Sequence, residues 1–181
     1  MAAFKFSGAG IIKAYRIITA AALVLWMALI FSLSSQNAAV SSGTSGGVIR
    51  LIAAIFCPGF DNLSAAEQTE IVSSMQFIAR KSAHFCIYTV LGILSFLTFI
   101  SYEKLKFVLR LAVSGAVCLL YAASDEFHQL FVPGRSGEVR DVMIDFSGAM
   151  LGIAMSTLIF LLIGRIKKKR TCKNEKRKIR N

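Results

Sequence analysis

Four stretches of this chain are apolar over nearly the thickness of a lipid bilayer, and that constrains the fold before any finer motif is read. A helix rises about 1.5 Å per residue, so crossing a hydrocarbon core of about 30 Å takes about 20 residues. Residues 17–33, 84–100, 107–123 and 142–163 come close to that length. The third is interrupted only by Arg110 near its start, and its helical pattern extends to about residue 131. In lipid every backbone amide must be paired within its own segment or a closed sheet, so long apolar segments are helices. The expected fold is all-α: a polytopic membrane protein built as a four-helix transmembrane bundle. The first segment follows Lys5, Lys13 and Arg16, as a cleavable signal peptide would. Its apolar run is longer than such a leader's, and no clear small-residue cleavage pattern follows, so a retained helix is expected.

Charge and apolar character are segregated. The mean hydropathy is +0.62, yet the formal net charge is +11. Ten of the cations fall in the final stretch, at Arg165, Lys167, Lys168, Lys169, Arg170, Lys173, Lys176, Arg177, Lys178 and Arg180. Directly after an apolar segment, such a run reads as a solvated tail at a membrane surface rather than a nucleic-acid-binding arm. The positive-inside bias sets the orientation. With both termini in the cytoplasm, Lys5, Lys13, Arg16, Lys104, Lys106 and Arg110 join the tail inside, and only Arg50, Arg80, Lys81, Arg135 and Arg140 lie outside. The expected organisation is a cytoplasmic N-terminus over 1–16, a membrane domain over 17–164 and a basic cytoplasmic tail over 165–181. The four cysteines, at positions 57, 86, 118 and 172, show no zinc-ligand spacing and no disulfide framework.

The first outer loop, 34–82, divides into parts. SSQNAAVSSGTSGG reads as flexible. VIRLIAAIF is apolar but too short to span, and Cys57-Pro58-Gly59 breaks it, which predicts an interfacial or re-entrant helix. Ser64 and Glu67 fit a helix-capping box, and Ile71, Val72, Met75, Ile78 and Ala79 follow at helical spacing. An amphipathic surface helix over 65–79, leading into the second span, is expected.

Ionisable residues gather where the second, third and fourth spans meet the outer face. Lys81, His84 and Tyr88 share one helix face. Glu126 lies 16 residues beyond Arg110, roughly 24 Å along a helix, so Asp125 and Glu126 fall within the outer part of the membrane. Asp141 and Asp145 are one turn apart at the start of the fourth span. Charge at membrane depth costs about 2.5–3.5 kcal/mol, so these groups turn inward and pair. Ion pairs gluing three helices would be one use of them. A binding or catalytic site is the other, and the number of carboxylates favours it. His84, Asp125 and Glu126 are the candidate catalytic groups, and Lys81, Tyr88, Gln129, Arg135 and Asp141 the candidate substrate-binding groups. Asp125, Glu126, His128, Asp141 and His84 are suitable metal-ligand types, but their spacing specifies no metal. Gly148 and Gly152 form G-x-x-x-G, a close-packing signal.

These strings together resemble the VanZ-like family of bacterial membrane proteins. The resemblance rests on K-x-x-H-F-x-x-Y at Lys81, His84, Phe85 and Tyr88, and on D-E-x-x-Q at Asp125, Glu126 and Gln129. It continues with P-G-R at 133–135 and D-x-x-x-D-x-x-G at Asp141, Asp145 and Gly148, and the first span ends in FSLSSQ. At the Asp145 position many relatives carry Asn, which implies that a negative charge there is not essential. The family's name-giving member is associated with teicoplanin resistance, which implies a cell-envelope theme and no particular reaction. Three readings follow: an enzyme or binder acting on an envelope lipid or lipid-linked wall precursor, a non-enzymatic scaffold or access-modifying protein, and a small proton-coupled transporter. Membrane lipids are the expected partners, nucleic acid is not, and self-association is left open.

Overall fold

A computed structural model of the chain describes residues 9–35, 47, 49–57, 59–133 and 137–180, with side chains described from Gly10 to Arg170. Four long helices carry the fold: α1 (Ala9–Ser34), α2 (Ala65–Ile100), α3 (Phe107–Gln129) and α4 (Val139–Arg180). Each contains one of the apolar segments, and each is long and apolar enough to cross a membrane. The all-α polytopic bundle expected from the sequence is the fold observed. Most of the Ser/Gly-rich stretch, the Pro58 breaker and Gly134 and Arg135 of the P-G-R motif lie outside the described residues.

Side-chain contacts fix how the helices run. Tyr15 donates to the Leu97 carbonyl at 3.0 Å and Trp26 to that of Ile87 at 2.9 Å, so α1 and α2 are antiparallel. Tyr121 donates to the Met27 carbonyl, and Ser34 meets Asp125, so α1 and α3 are parallel. The Ser95 hydroxyl donates to the Ser114 carbonyl at 3.1 Å and the Tyr88 hydroxyl to Asp125, which sets α3 antiparallel to α2. Lys81 meets Asp141 and His84 meets Asp145, so α4 is parallel to α2, and the chain enters α1 and leaves α4 at the same end of the bundle. There Arg16 and Arg110 donate to carbonyls at and beyond the C-terminus of α2, those of Ser101, Ile100 and Glu103. Guanidinium groups at a helix C-terminus satisfy its orphan carbonyls and complement its dipole. Arg110, which interrupts an apolar run, is thus spent on capping.

α2 and α4 share the largest interface. They meet almost backbone to backbone. A Cβ added at Gly152 would lie 2.0 Å from the Thr89 carbonyl oxygen, one at Gly148 2.3 Å from that of Phe85, and one at Gly92 2.1 Å from that of Ala149. The G-x-x-x-G pattern has the close-packing role that small residues play between membrane helices. Below the polar end the core is apolar, with Tyr88, Leu91, Phe96, Cys118, Ala122 and Ile153 buried.

The first loop departs from expectation in one respect. Residues 49–56 are helical, with Ile49 and Ala53 buried, and Gly59 takes a left-handed φ of 83° where the chain turns. The capping box forms: the Glu67 carboxylate accepts from the Ser64 amide at 2.8 Å and the Ser64 hydroxyl accepts from the Glu67 amide. The segment 65–79, however, is not a separate surface helix. It is the first half of α2, 36 residues without interruption and roughly 54 Å long, well beyond the hydrocarbon core. No Gly or Pro occurs between Ala65 and Leu91, so nothing breaks the hydrogen-bond ladder at Arg80-Lys81-Ser82. Ile71, Val72 and Met75 are half-buried, whereas Ile78 is exposed. Ser64→Ala should cost about 0.5–2 kcal/mol as a lost cap. Hydrogen exchange is expected to speed up over the first two turns of α2 and not at 84–100; unchanged exchange throughout would contradict the capping role.

Candidate functional site

At the end of the bundle away from Arg16 and Arg110, α2, α3 and α4 each supply polar side chains. The pattern follows from membrane chemistry. Each charge buried at this depth needs a partner, and the partners available are on the neighbouring helices. Lys81 forms an ion pair with Asp141, joining α2 to α4. One turn deeper, His84 Nδ1 lies 3.5 Å from Asp145 Oδ2. A further turn down, Tyr88 is fully buried and donates to Asp125 Oδ2 at 3.1 Å. Three positions on one face of α2 thus meet three carboxylates in register.

Asp125 is 2% exposed. Its Oδ2 also accepts from Ser34 at 2.9 Å and Gln129 at 3.4 Å, so α1, α2 and α3 converge on one oxygen. Its Oδ1 is buried with no hydrogen-bond partner among the described residues. Glu126 shows the same asymmetry: Oε1 accepts from the Glu138 amide, just ahead of α4, at 2.7 Å, and Oε2 is buried without a partner. A carboxylate at a helix N-terminus is favoured by the helix dipole.

Above this layer opens a cavity of about 170 Å³, lined by Phe77, Arg80, Lys81, His84, Glu126, Gln129, Glu138, Asp141, Ile144 and Asp145. Cations stand on the α2 wall and carboxylates on the α3 and α4 walls, with Phe77 and Ile144 as apolar contact.

Of the residues singled out from the sequence, Lys81, His84, Glu126, Gln129 and Asp141 line the cavity. Tyr88 and Asp125 do not; they lie behind its wall, hydrogen-bonded to each other. Arg135 lies outside the described residues. His128 faces away from the cavity: it stacks on Phe31 at 4.4 Å between ring centroids and lies 3.1 Å from the Ser35 hydroxyl. Arg140 is exposed and does not line the cavity, whereas Arg80 does. Four residues of the site are not among the candidates that the sequence pattern supplies. Arg80 precedes His84 by one turn, a spacing that could have been read. Asp145, whose charge the family resemblance implies is not essential, contacts His84. Ser34 and Glu138 reach the site through helix neighbours that the sequence pattern does not reveal.

Fold and cluster together define a multi-pass membrane protein with a polar site buried at one end of its helix bundle. A sequence model of the VanZ/LLP1 family matches residues 19–162, and the chain belongs to that family. No curated protein and no solved structure matches it.

Proposed function

We propose that the cavity binds the anionic headgroup of an envelope lipid or a lipid-linked cell-wall precursor at the outer leaflet of a bacterial cell membrane. On this reading both termini are cytoplasmic. What carries it is a single arrangement: Arg80 and Lys81 form a cationic wall, with His84 next along the same helix, beside buried carboxylates in a cavity that also offers apolar surface. Arg and Lys on one wall suit a phosphate or carboxylate, and the bilayer around the bundle holds the acyl chains. Glu126, with one buried oxygen that has no hydrogen-bond partner among the described residues, is the group best placed to accept a proton from a bound hydroxyl, and His84 lines the same cavity. A link to glycopeptide susceptibility, teicoplanin in particular, follows from the family theme. The transporter reading has less support, because the core beneath the cluster is apolar. The scaffold reading draws on the Lys81–Asp141 and His84–Asp145 contacts, which would also hold the helices together.

Native mass spectrometry of the detergent-purified protein tests the binding. An anionic lipid should be retained, and Lys81→Gln should lower its occupancy about tenfold or more, since a hydrogen bond to a charged group is worth about 1.5–3 kcal/mol. Equal retention of zwitterionic and anionic lipids by the wild-type protein would refute a headgroup site. The orientation has its own test. In whole cells lacking the native cysteines, an impermeant thiol reagent should label Gly134→Cys and leave Lys176→Cys unlabelled; the opposite pattern would invert the topology.

A further inference from the structure

Directly beneath the cavity, one side chain from each of three helices converges. A ring nitrogen of His84 on α2 and carboxylate oxygens of Asp125 on α3 and Asp145 on α4 lie within 4.8 Å of one another. The two carboxylates are each 2% exposed. Lys81 is engaged by Asp141 one turn above, so the cation nearest along α2 is not their partner. The contacts that do exist are incomplete. His84 and Asp145 stand 3.5 Å apart, longer than the 2.7–3.2 Å or so of a good hydrogen bond. Asp125 receives three donors on Oδ2 and, among the described residues, none on Oδ1. A carboxylate with a buried, unpartnered oxygen is costly unless something positive completes it.

We propose that His84, Asp125 and Asp145 form a binding site for one divalent transition-metal cation, such as Zn²⁺ or Mn²⁺, with one ligand from each of α2, α3 and α4. Imidazole nitrogen with carboxylate oxygen is a donor set such ions accept. The spacing suits it. Ligand bonds of about 2.1 Å in a tetrahedral site put neighbouring donor atoms about 3.4 Å apart, close to the 3.5 Å between His84 and Asp145. The wider separations within the trio, up to 4.8 Å, would have to close by up to about 1.4 Å, within the reach of side-chain rotation. Ser34, Tyr88 and Gln129 then orient Asp125 by holding its Oδ2, as hydrogen bonds to ligating carboxylates do at metal centres. The open side of the site faces the cavity, where a fourth donor from water or an anion can enter. The site stands on its own geometry and does not require the headgroup reading.

The test uses the full chain in detergent, with any affinity tag removed and metal stripped by a chelator. Equilibrium dialysis with Zn²⁺ or Mn²⁺ alone, read by elemental mass spectrometry, should saturate near one cation per chain. Tyr88→Phe should weaken binding about tenfold to 100-fold, the usual cost of removing a group that orients a ligand, and His84→Gln by at least as much. His128→Gln, at the chain's other histidine, should leave the affinity unchanged. Should the His84 variant fail to fold, the wild type decides. Mn²⁺ bound to it should show ¹⁴N hyperfine coupling that persists in His128→Gln. Failure to saturate, an affinity unaltered in folded His84→Gln, or the absence of nitrogen coupling would each overturn the site. None of these results depends on whether an anionic lipid is retained.

Discussion

Gly152→Ala will lower the apparent melting temperature of the detergent-solubilised protein, while Gly115→Ala will leave it unchanged or raise it. Both substitutions add one methyl group to the interior of a membrane helix. On intrinsic propensity alone each would stabilise by about 0.5–1 kcal/mol, because glycine loses more backbone freedom on folding than alanine. The surroundings decide the sign. At Gly115 the new Cβ meets only the Met150 sulfur at 3.8 Å, an ordinary contact with a flexible side chain. At Gly152 it meets the Thr89 carbonyl oxygen at 2.0 Å and the Ile93 amide nitrogen at 3.0 Å. Those are backbone atoms of α2, and they move only if the helices separate. Overpacking of this kind costs about 1–3 kcal/mol and sometimes more. Equal melting temperatures for the two variants would show that α2 and α4 are not held at this distance.

The second expectation concerns the site. His84→Ala and Glu126→Gln should abolish the envelope phenotype, measured as teicoplanin susceptibility against a deletion background, while expression and melting temperature stay near wild type. Glu126→Gln retains an oxygen for the Glu138 amide at 2.7 Å, so the contact to the start of α4 can persist. If the cluster only glues helices, stability falls first. Losing His84 leaves the Asp145 carboxylate, 2% exposed, without the imidazole that stands 3.5 Å from it, and removing the partner of a buried charge costs about 3–5 kcal/mol. Full activity in both variants would count against a functional site, and a loss of stability matching the loss of phenotype would favour the scaffold reading.

Much of the fold was legible because hydropathy at membrane length leaves few alternatives, and the positions of the four spans agree with α1–α4. The continuity of α2 was not. The change from polar to apolar at Arg80-Lys81-Ser82 looks like an element boundary, but backbone hydrogen bonding has no stake in which solvent surrounds the helix. With no Gly or Pro to stop it, the helix runs on. The site was legible as far as helical phase reaches. Lys81, His84 and Tyr88 share a face, and so do Asp141 and Asp145, which is why the two sets meet in register. Arg140 is about 100° away from Asp141 around α4 and so misses the cavity. Which helices are neighbours is not written in periodicity. The contribution of Ser34 from α1 therefore had no sequence signal beyond its place at the end of a span.

The glycine contacts carry a consequence for what the cavity can admit. Facing walls in most binding sites are held apart by side chains, and trimming or enlarging one of those resets the gap. Here the α2 wall and the α4 wall are referenced to each other by main-chain atoms, at Phe85 against Gly148 and Thr89 against Gly152. Those contacts lie a turn or two below the residues that would touch a guest. They act as a gauge. The clearance between Lys81 and Asp141 is inherited from the thickness of two peptide backbones, the smallest spacer a pair of helices can have. Exchanging residues at the rim alters what lines the slot without altering its width. A change of width has to be made at the glycines, out of reach of the molecule being measured.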